Sequence, residues 1–211
     1  MTEQTGTRGR SGAARPLPKS HRTRERILDA AARVLSSKGY AGTRLQDVAA
    51  EAGLQAPAIY YYFGSRDELI AEVMFVGAHR VRGHVSDVLA ALPAGTGPME
   101  RILAAVEAHL RYELLISDYT TASVRNAGQV PDEVRERSAA EEAAYSHMWR
   151  DLFEAAREAG DLRPDIDANL ARFLILGAMN WAAEWWDPSH RTLDDLVAAT
   201  QQLVLGGIGR H

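Results

Sequence analysis

Seven histidines and no cysteine narrow the chemistry open to this 211-residue chain. No H-x-x-x-H or H-E-x-x-H spacing occurs, and no thiol is present for a disulfide, a Cys-ligated metal or thiol catalysis. Nucleophile motifs and phosphate-binding glycine loops are absent as well. Acidic pairs such as Glu141-Glu142 and Asp194-Asp195 read as solvated helix faces. The residue types that remain suit recognition by hydrogen bonding, and they concentrate in TRLQDVAAEAGLQAPAIYYYF, Thr43 to Phe63. Gln55 can both donate and accept at a base edge. Tyr60, Tyr61 and Tyr62 are consecutive, so at ~3.6 residues per turn they point around a helix. With Ile59 and Phe63 as an i, i+4 core pair, at least one tyrosine faces outward with a hydroxyl for a phosphate. Ala56, Pro57 and Ala58 are small enough to let a backbone approach a duplex. Thr43, Arg44, Gln46 and Arg66 complete the candidate contact set.

The elements that must position these residues are two short helices and a turn. Thr43-x-x-Gln46 has the form of a capping box and predicts a helix start. Leu45, Val48 and Ala49 follow on one face. Gly53 suits a left-handed helix exit, and Pro57 suits the first turn of the next helix. Helix, glycine turn and short second helix are the layout of a helix-turn-helix, whose second helix enters the major groove. Ahead of it, a helix over about 21–38 has the buried stripe Ile27, Ala30, Ala31, Val34 and Leu35, and Gly39 ends it.

Residues 22 to 70 resemble the DNA-binding domain of the TetR family of bacterial transcriptional regulators. The matching residues are Ile27-Leu28-x-Ala30-Ala31, Lys38-Gly39-Tyr40, Thr43, Val48-Ala49, Ala52-Gly53, Ala58 to Phe63 and Gly64 to Leu69. Two departures stand out. Leu54-Gln55 occupy the place where the family often caps the recognition helix with serine or threonine, and Arg66 replaces a common lysine. The resemblance implies an all-α fold, with a three-helix DNA-binding head followed by a helical bundle for ligand binding and dimerisation.

Charge agrees with that division. Residues 1–66 hold eleven Lys/Arg and five Asp/Glu, a net of +6; residues 67–211 hold thirteen and twenty-three, a net of −10. Residues 1–20 read as a disordered basic tail, with Arg8, Arg10, Arg15 and Lys19 available to DNA; 21–66 read as the head and 67–211 as the second domain. The absence of cysteine and of a secretory signal fits a cytoplasmic protein. The longest nearly apolar run, Phe173 to Trp186, is too short for a membrane span and contains Glu184.

Beyond the head the pattern is helical throughout, with about nine helices in all and no strand pattern. Ser65-x-x-Glu68 opens a long helix to about Leu92, which Gly77 and Gly83 would let bend. Helices follow over about 99–116, a short one within 117–128, then 131–159, 168–186 and 192–205. By the resemblance, the last two pair with their copies in a homodimer. Trp181 and Trp185 (i, i+4) share a face, Trp186 is turned ~100° away, and Trp149 and Phe153 lie on the preceding long helix. Arg111, Tyr112, Asn180 and Glu184 are polar groups that could orient a ligand beside those aromatics. Asn180-Trp181-x-x-Glu184-Trp185-Trp186-x-Pro188 is similar to the C-terminal domains of family members that sense acyl-CoA or steroid-catabolite thioesters.

The expected function is a homodimeric repressor on a pseudo-palindromic double-stranded operator, released by a small hydrophobic effector that tilts the long fourth helix. No cofactor or metal is expected. A ligand-independent regulator or activator, or a helical enzyme, are the alternatives; a packed C-terminal core would favour the first, a cleft of convergent polar groups the second.

Overall fold

Helix α1, Lys19–Gly42, is polar and exposed in its first turn and amphipathic beyond it, where Ile27, Leu28, Ala30, Ala31, Val34 and Leu35 form its buried stripe. The computed structural model describes residues 19–116 and 118–210; Arg8, Arg10 and Arg15 of the basic tail lie outside them. Gly39 breaks α1 at φ 69°, a left-handed conformation that favours glycine. The break frees the Gly39 carbonyl, and the Thr43 hydroxyl donates to it at 2.7 Å. The capping box expected at Thr43 and Gln46 therefore does not form. Helix α2, Leu45–Glu51, begins two residues on, with Arg44 at its N-cap and no side-chain cap.

At the other end of α2 the chain closes a Schellman motif. Gly53 stands at φ 62°, Leu54 N–H donates to Ala49 O at 2.8 Å, and Gly53 N–H donates to Ala50 O at 3.1 Å. Helix α3, Ala56–Tyr62, starts at Gln55 without a side-chain cap, but Pro57 in its first turn removes one donor that would need a partner. Ser65 caps α4, Arg66–Ala91, by accepting the Glu68 N–H at 3.0 Å; Glu68 turns back to the Gly64 N–H at 2.8 Å, not to that of Ser65.

Helix α4 runs through Gly83 and Gly77 without a break, and at Gly77 the packing is close. A Cβ there would stand 2.5 Å from Ser123 Oγ and 2.6 Å from Tyr119 O. Gly77 lets α4 lie against the backbone of α6, Asp118–Asn126. Between them come α5, Pro98–Arg111, and a π-helical turn, Tyr112–Ile116, where an unbroken α-helix was expected. Helices α7 (Asp132–Glu158), α8 (Ala168–Trp185) and α9 (Leu193–Ile208) complete the bundle. Thr192 and Asp195 form the capping box expected at the start of α9. The nine α-helices account for nearly all the regular structure of the described residues; an isolated antiparallel bridge joins Leu162 and Gly209.

The apolar interior divides into two cores. The first packs α1, α2, α3 and the start of α4 around Ile27, Leu35, Ile59 and Phe63, and takes in Tyr119 and Ala122 of α6 and Val134 of α7. The second packs α5, the rest of α4 and α7 to α9 around Ile102, Leu110, Trp149, Phe153 and Met179. Helix α6 thus belongs to the core of the head although it follows α5 in the chain.

Replacing Gly77 by alanine should lower the stability of the folded protein by about 1–3 kcal/mol, because the added methyl meets backbone that cannot rotate away. Chemical denaturation would show it as a reduced midpoint, whereas Gly83→Ala, with open space around it, should be neutral or stabilising.

Candidate nucleic-acid interface and internal cavity

Helix α3 keeps Ile59 and Phe63 in the core and turns its other face outward. Tyr61 is 82% exposed and Tyr60 58%, while Tyr62 packs partly on the first core and meets Tyr61 edge-on, ring centroids 5.0 Å apart. Gln55 and Pro57 are exposed, with Ala56 and Ala58 half-buried beside them. Arg44 and Gln46, at the start of α2, are exposed as well. The starts of α2 and α3 thus present polar and small residues to solvent, together with the exposed phenol groups of Tyr60 and Tyr61. Such a face offers hydrogen bonds to phosphates and base edges and leaves room for close approach.

Two of the candidate contacts sit elsewhere. Thr43 is 2% exposed and its hydroxyl is held by Gly39, so it fastens the end of α1 and cannot face DNA. Arg66 is half-buried; its guanidinium lies 4.3 Å over the Tyr40 ring and donates to the Tyr40 carbonyl. A positively charged side chain held in this way staples α4 to the end of α1.

A partly open cavity of about 250 Å³ lies between α4, α5, α6, α7 and α8. Gly77, Ala78, Val81, Val124 and Leu176 give it apolar walls; His109, Tyr145, Ser146 and Asn180 bring polar atoms to it. His109 is 2% exposed. Its Nδ1 stands 2.7 Å from the Tyr145 hydroxyl, and its Nε2 stands 2.9 Å from the wholly buried carboxylate of Glu113. Burial pushes the Tyr145 phenol well above its ordinary range, so the hydroxyl stays protonated at neutral pH.

Of the eight residues proposed from sequence for a ligand, Asn180 alone lines this cavity. Trp149 and Phe153 are 0% and 2% exposed and fill the second core. Tyr112 stacks at a tilt against His84, and Arg111 pairs with Glu107 and Asp194 at 2.8 and 2.6 Å on the α5–α9 side. Trp181 and Trp185 do share a face of α8, but it is the outer one, 65% and 56% exposed. Helical spacing says which residues share a face and not which way that face looks. Glu184 pairs with Arg125 of α6 at 2.5 Å.

That last contact belongs to a joint that sequence reasoning missed. Arg125 donates to Ser36 O of α1 at 2.9 Å and to Ala183 O of α8 at 2.8 Å. Its neighbour Asn126 is fully buried. The Asn126 amide accepts the Tyr40 N–H at 2.7 Å and donates to Ala122 O and Leu35 O. Tyr119 donates to Asp29 of α1 at 2.7 Å. Thr120, Ser123 and Val124, on the same helix, line the cavity. No short-range pattern marks α6 for this role, because its contacts lie some ninety residues away in the chain. His109 and Glu113, by contrast, were readable as an i, i+4 pair.

Comparison with known proteins agrees with both halves. Residues 27–73 match the family model described as bacterial regulatory proteins, tetR family, and 95–208, more than half of the chain, match the tetracyclin repressor-like C-terminal domain. The chain belongs to the TetR family. It is a DNA-binding transcriptional regulator and not an enzyme, as its family and relatives are. Among those relatives, the repressor KstR2 of Rhodococcus jostii is 25% identical over 195 residues, 88% of this chain and 90% of that protein. The activator FasR of Mycolicibacterium smegmatis is 29% identical over 231 residues, 99% and 96% of the two chains. The TetR fold is also that of AibR, solved in complex with isovaleryl coenzyme A and operator DNA, with a TM-score of 0.78 at 22% identity over 86% of this chain and 97% of that one. No helix of the described residues is long and apolar enough to cross a membrane.

Tyr61→Ala should leave the unfolding midpoint within about 0.5 kcal/mol of the parent, since the side chain is mostly in solvent. It should weaken binding to an operator selected from random-sequence DNA by about tenfold, as loss of one charge-assisted hydrogen bond would. Thr43→Val should do the reverse, lowering stability by about 1 kcal/mol while folded protein keeps its DNA affinity. Fluorescence anisotropy beside thermal melts separates the two.

Proposed function

We propose that the protein works as a homodimer whose two α3 helices occupy successive major grooves of a pseudo-palindromic operator, and that a small hydrophobic effector in the cavity releases it. The observation that carries this reading is α6. One face of that helix lines the cavity, and the other is hydrogen-bonded to α1 at Asp29, Leu35, Ser36 and Tyr40. An effector that displaces α6 must therefore shift α1 or break those bonds, and α4 moves with it through the contact at Gly77. The operator needs the heads about one turn, ~34 Å, apart, so a shift of each head loosens both half-sites together.

The cavity's size bears on the effector. At about 250 Å³ it falls short of the ~300–1,000 Å³ of sites that enclose drug-sized ligands. It suits a short acyl group whose carrier stays outside, which is the shape of an acyl-CoA thioester. A Bacillus subtilis relative named as a fatty acid metabolism regulator, and the isovaleryl coenzyme A bound to AibR, support that class.

The dimer reading rests on the outer surface of α8 and α9. Leu170, Phe173, Leu174 and Trp181 of α8 and Leu203 of α9 are all more than half exposed. Gly177 and Gly206 between them have open space where a Cβ would stand. Large apolar side chains set among glycines make a surface that a second helix pair can approach closely. Leu174→Glu should convert the dimer to a monomer in sedimentation velocity runs and lower operator affinity by two orders of magnitude or more; a dimer that persists would move the interface elsewhere.

Release by an effector requires that the effector favour the state that does not bind DNA, and linkage then makes operator weaken effector binding by the same factor. Titrating a short-chain acyl-CoA into free and operator-bound protein should give affinities at least tenfold apart. Equal affinities would rule out release by this class of ligand.

A further inference from the structure

Beside the cavity, the His109 imidazole stands between the Glu113 carboxylate and the Tyr145 hydroxyl, a set of polar groups that the α6 joint does not use. Glu113 is buried in the π-helical turn, and both its carboxylate oxygens are shut off from solvent without an aligned hydrogen-bond donor. The group that faces it is His109, with Nε2 2.9 Å from Oε2: close enough for an ion pair, poorly aligned for a hydrogen bond. On the far side of the same imidazole, Nδ1 is 2.7 Å from Tyr145 Oη, and the Tyr145 and His109 rings lie nearly parallel.

Which partner of the His109–Tyr145 contact donates depends on the imidazole tautomer. With the ring proton on Nδ1, His109 donates to Tyr145 Oη, and the phenol's own proton is left to turn towards the cavity.

Other polar groups around the cavity already have work. Ser123 donates to Tyr119 O at 2.9 Å, Ser146 Oγ accepts from Arg172 at 3.0 Å, and Glu142 accepts from Ser138 at 2.7 Å. Asn180 lies at the rim that the cavity shares with the crevice beside α1, where Ser36, Lys38, Arg125 and Trp181 also meet. Tyr145 lines the cavity together with the apolar Val81, Val124 and Leu176.

We propose that Tyr145 is the specificity-determining donor of this cavity, giving its hydroxyl proton to a carbonyl oxygen on the effector, so that the site selects acyl compounds over alkyl ones of the same length. This rests on the reading of the cavity as the effector site and names the group that is read there.

The test compares hexanoyl-CoA with S-hexyl-CoA, which has the same chain and carrier but a methylene in place of the carbonyl. Calorimetry on the full-length protein should give binding of the thioester roughly tenfold tighter than the thioether, the loss expected when one buried hydrogen bond is removed. In Tyr145→Phe, which keeps the ring and removes only the hydroxyl, the two should bind within about twofold of each other, with a cooperative thermal melt as the check on folding. Equal binding of both compounds to the parent protein overturns this inference and leaves the acyl-CoA effector standing. A preference that survives in Tyr145→Phe overturns it as well, and assigns the donor to another group such as Asn180. Binding of neither compound overturns the effector class, and this inference with it.

Discussion

One buried carboxamide holds the two halves of the molecule in register. Asn126 is inaccessible to water and meets α1 where Gly39 has broken its hydrogen-bond ladder. Its oxygen takes the Tyr40 N–H that the break exposes, and its nitrogen gives protons to Leu35 O and Ala122 O. An amide N–H left without a partner in the interior costs about 1–3 kcal/mol, so the break in α1 and the presence of Asn126 are mutually required. The end of α1 sets the entry to α2, and α2 sets α3. The direction in which the recognition helix points is thus referred, through one side chain, to a helix of the regulatory domain.

Charge reinforces the same connection. Glu72 of α4 accepts Arg24 of α1 at 2.8 Å and Arg137 of α7 on its other side. Arg125 ties α1 to α8 through two carbonyls and Glu184. Ion pairs that remain partly in water contribute little to stability. Their value here is geometric, because a planar guanidinium with several donors fixes orientation as well as distance. Head and body are joined by polar contacts of definite direction in addition to an apolar surface, and two apolar faces alone could slide.

Local signals were legible in the sequence and distant ones were not. Gly53 as a left-handed exit, Pro57 in a first turn, and the Ile59–Phe63 core pair all follow from the nearest few residues, and all are seen. Thr43 shows where such reasoning stops. Its spacing to Gln46 has the form of a capping box, but the Gly39 carbonyl, left open by the break in α1, competes for its hydroxyl and wins. The tryptophans of α8 show a different limit. Their periodicity was read correctly, yet whether the shared face of α8 looks into the bundle depends on how α8 packs on α7 and α5, which no local pattern records. Asn126, Arg125 and Tyr145 carry no sequence signature of their function, since each acts through partners that only the fold brings near.

The contact at Gly77 has a consequence for how such a regulator can acquire a new chemical input. Gly77 and Ser123 are both part of the cavity wall and part of the place where α4 and α6 touch backbone to backbone. A joint with no intervening side chain has no rotamers in which to absorb a displacement, so it transmits without slack. The same property makes that wall intolerant of alteration: enlarging a residue there reshapes the cavity and jams the joint in one stroke. The opposite walls, formed by α5, α7 and α8, carry no such double duty at Leu176 or Ser146. Divergence towards a different compound is therefore channelled to one side of the cavity, and the side that speaks to DNA is held to small residues whatever the signal becomes.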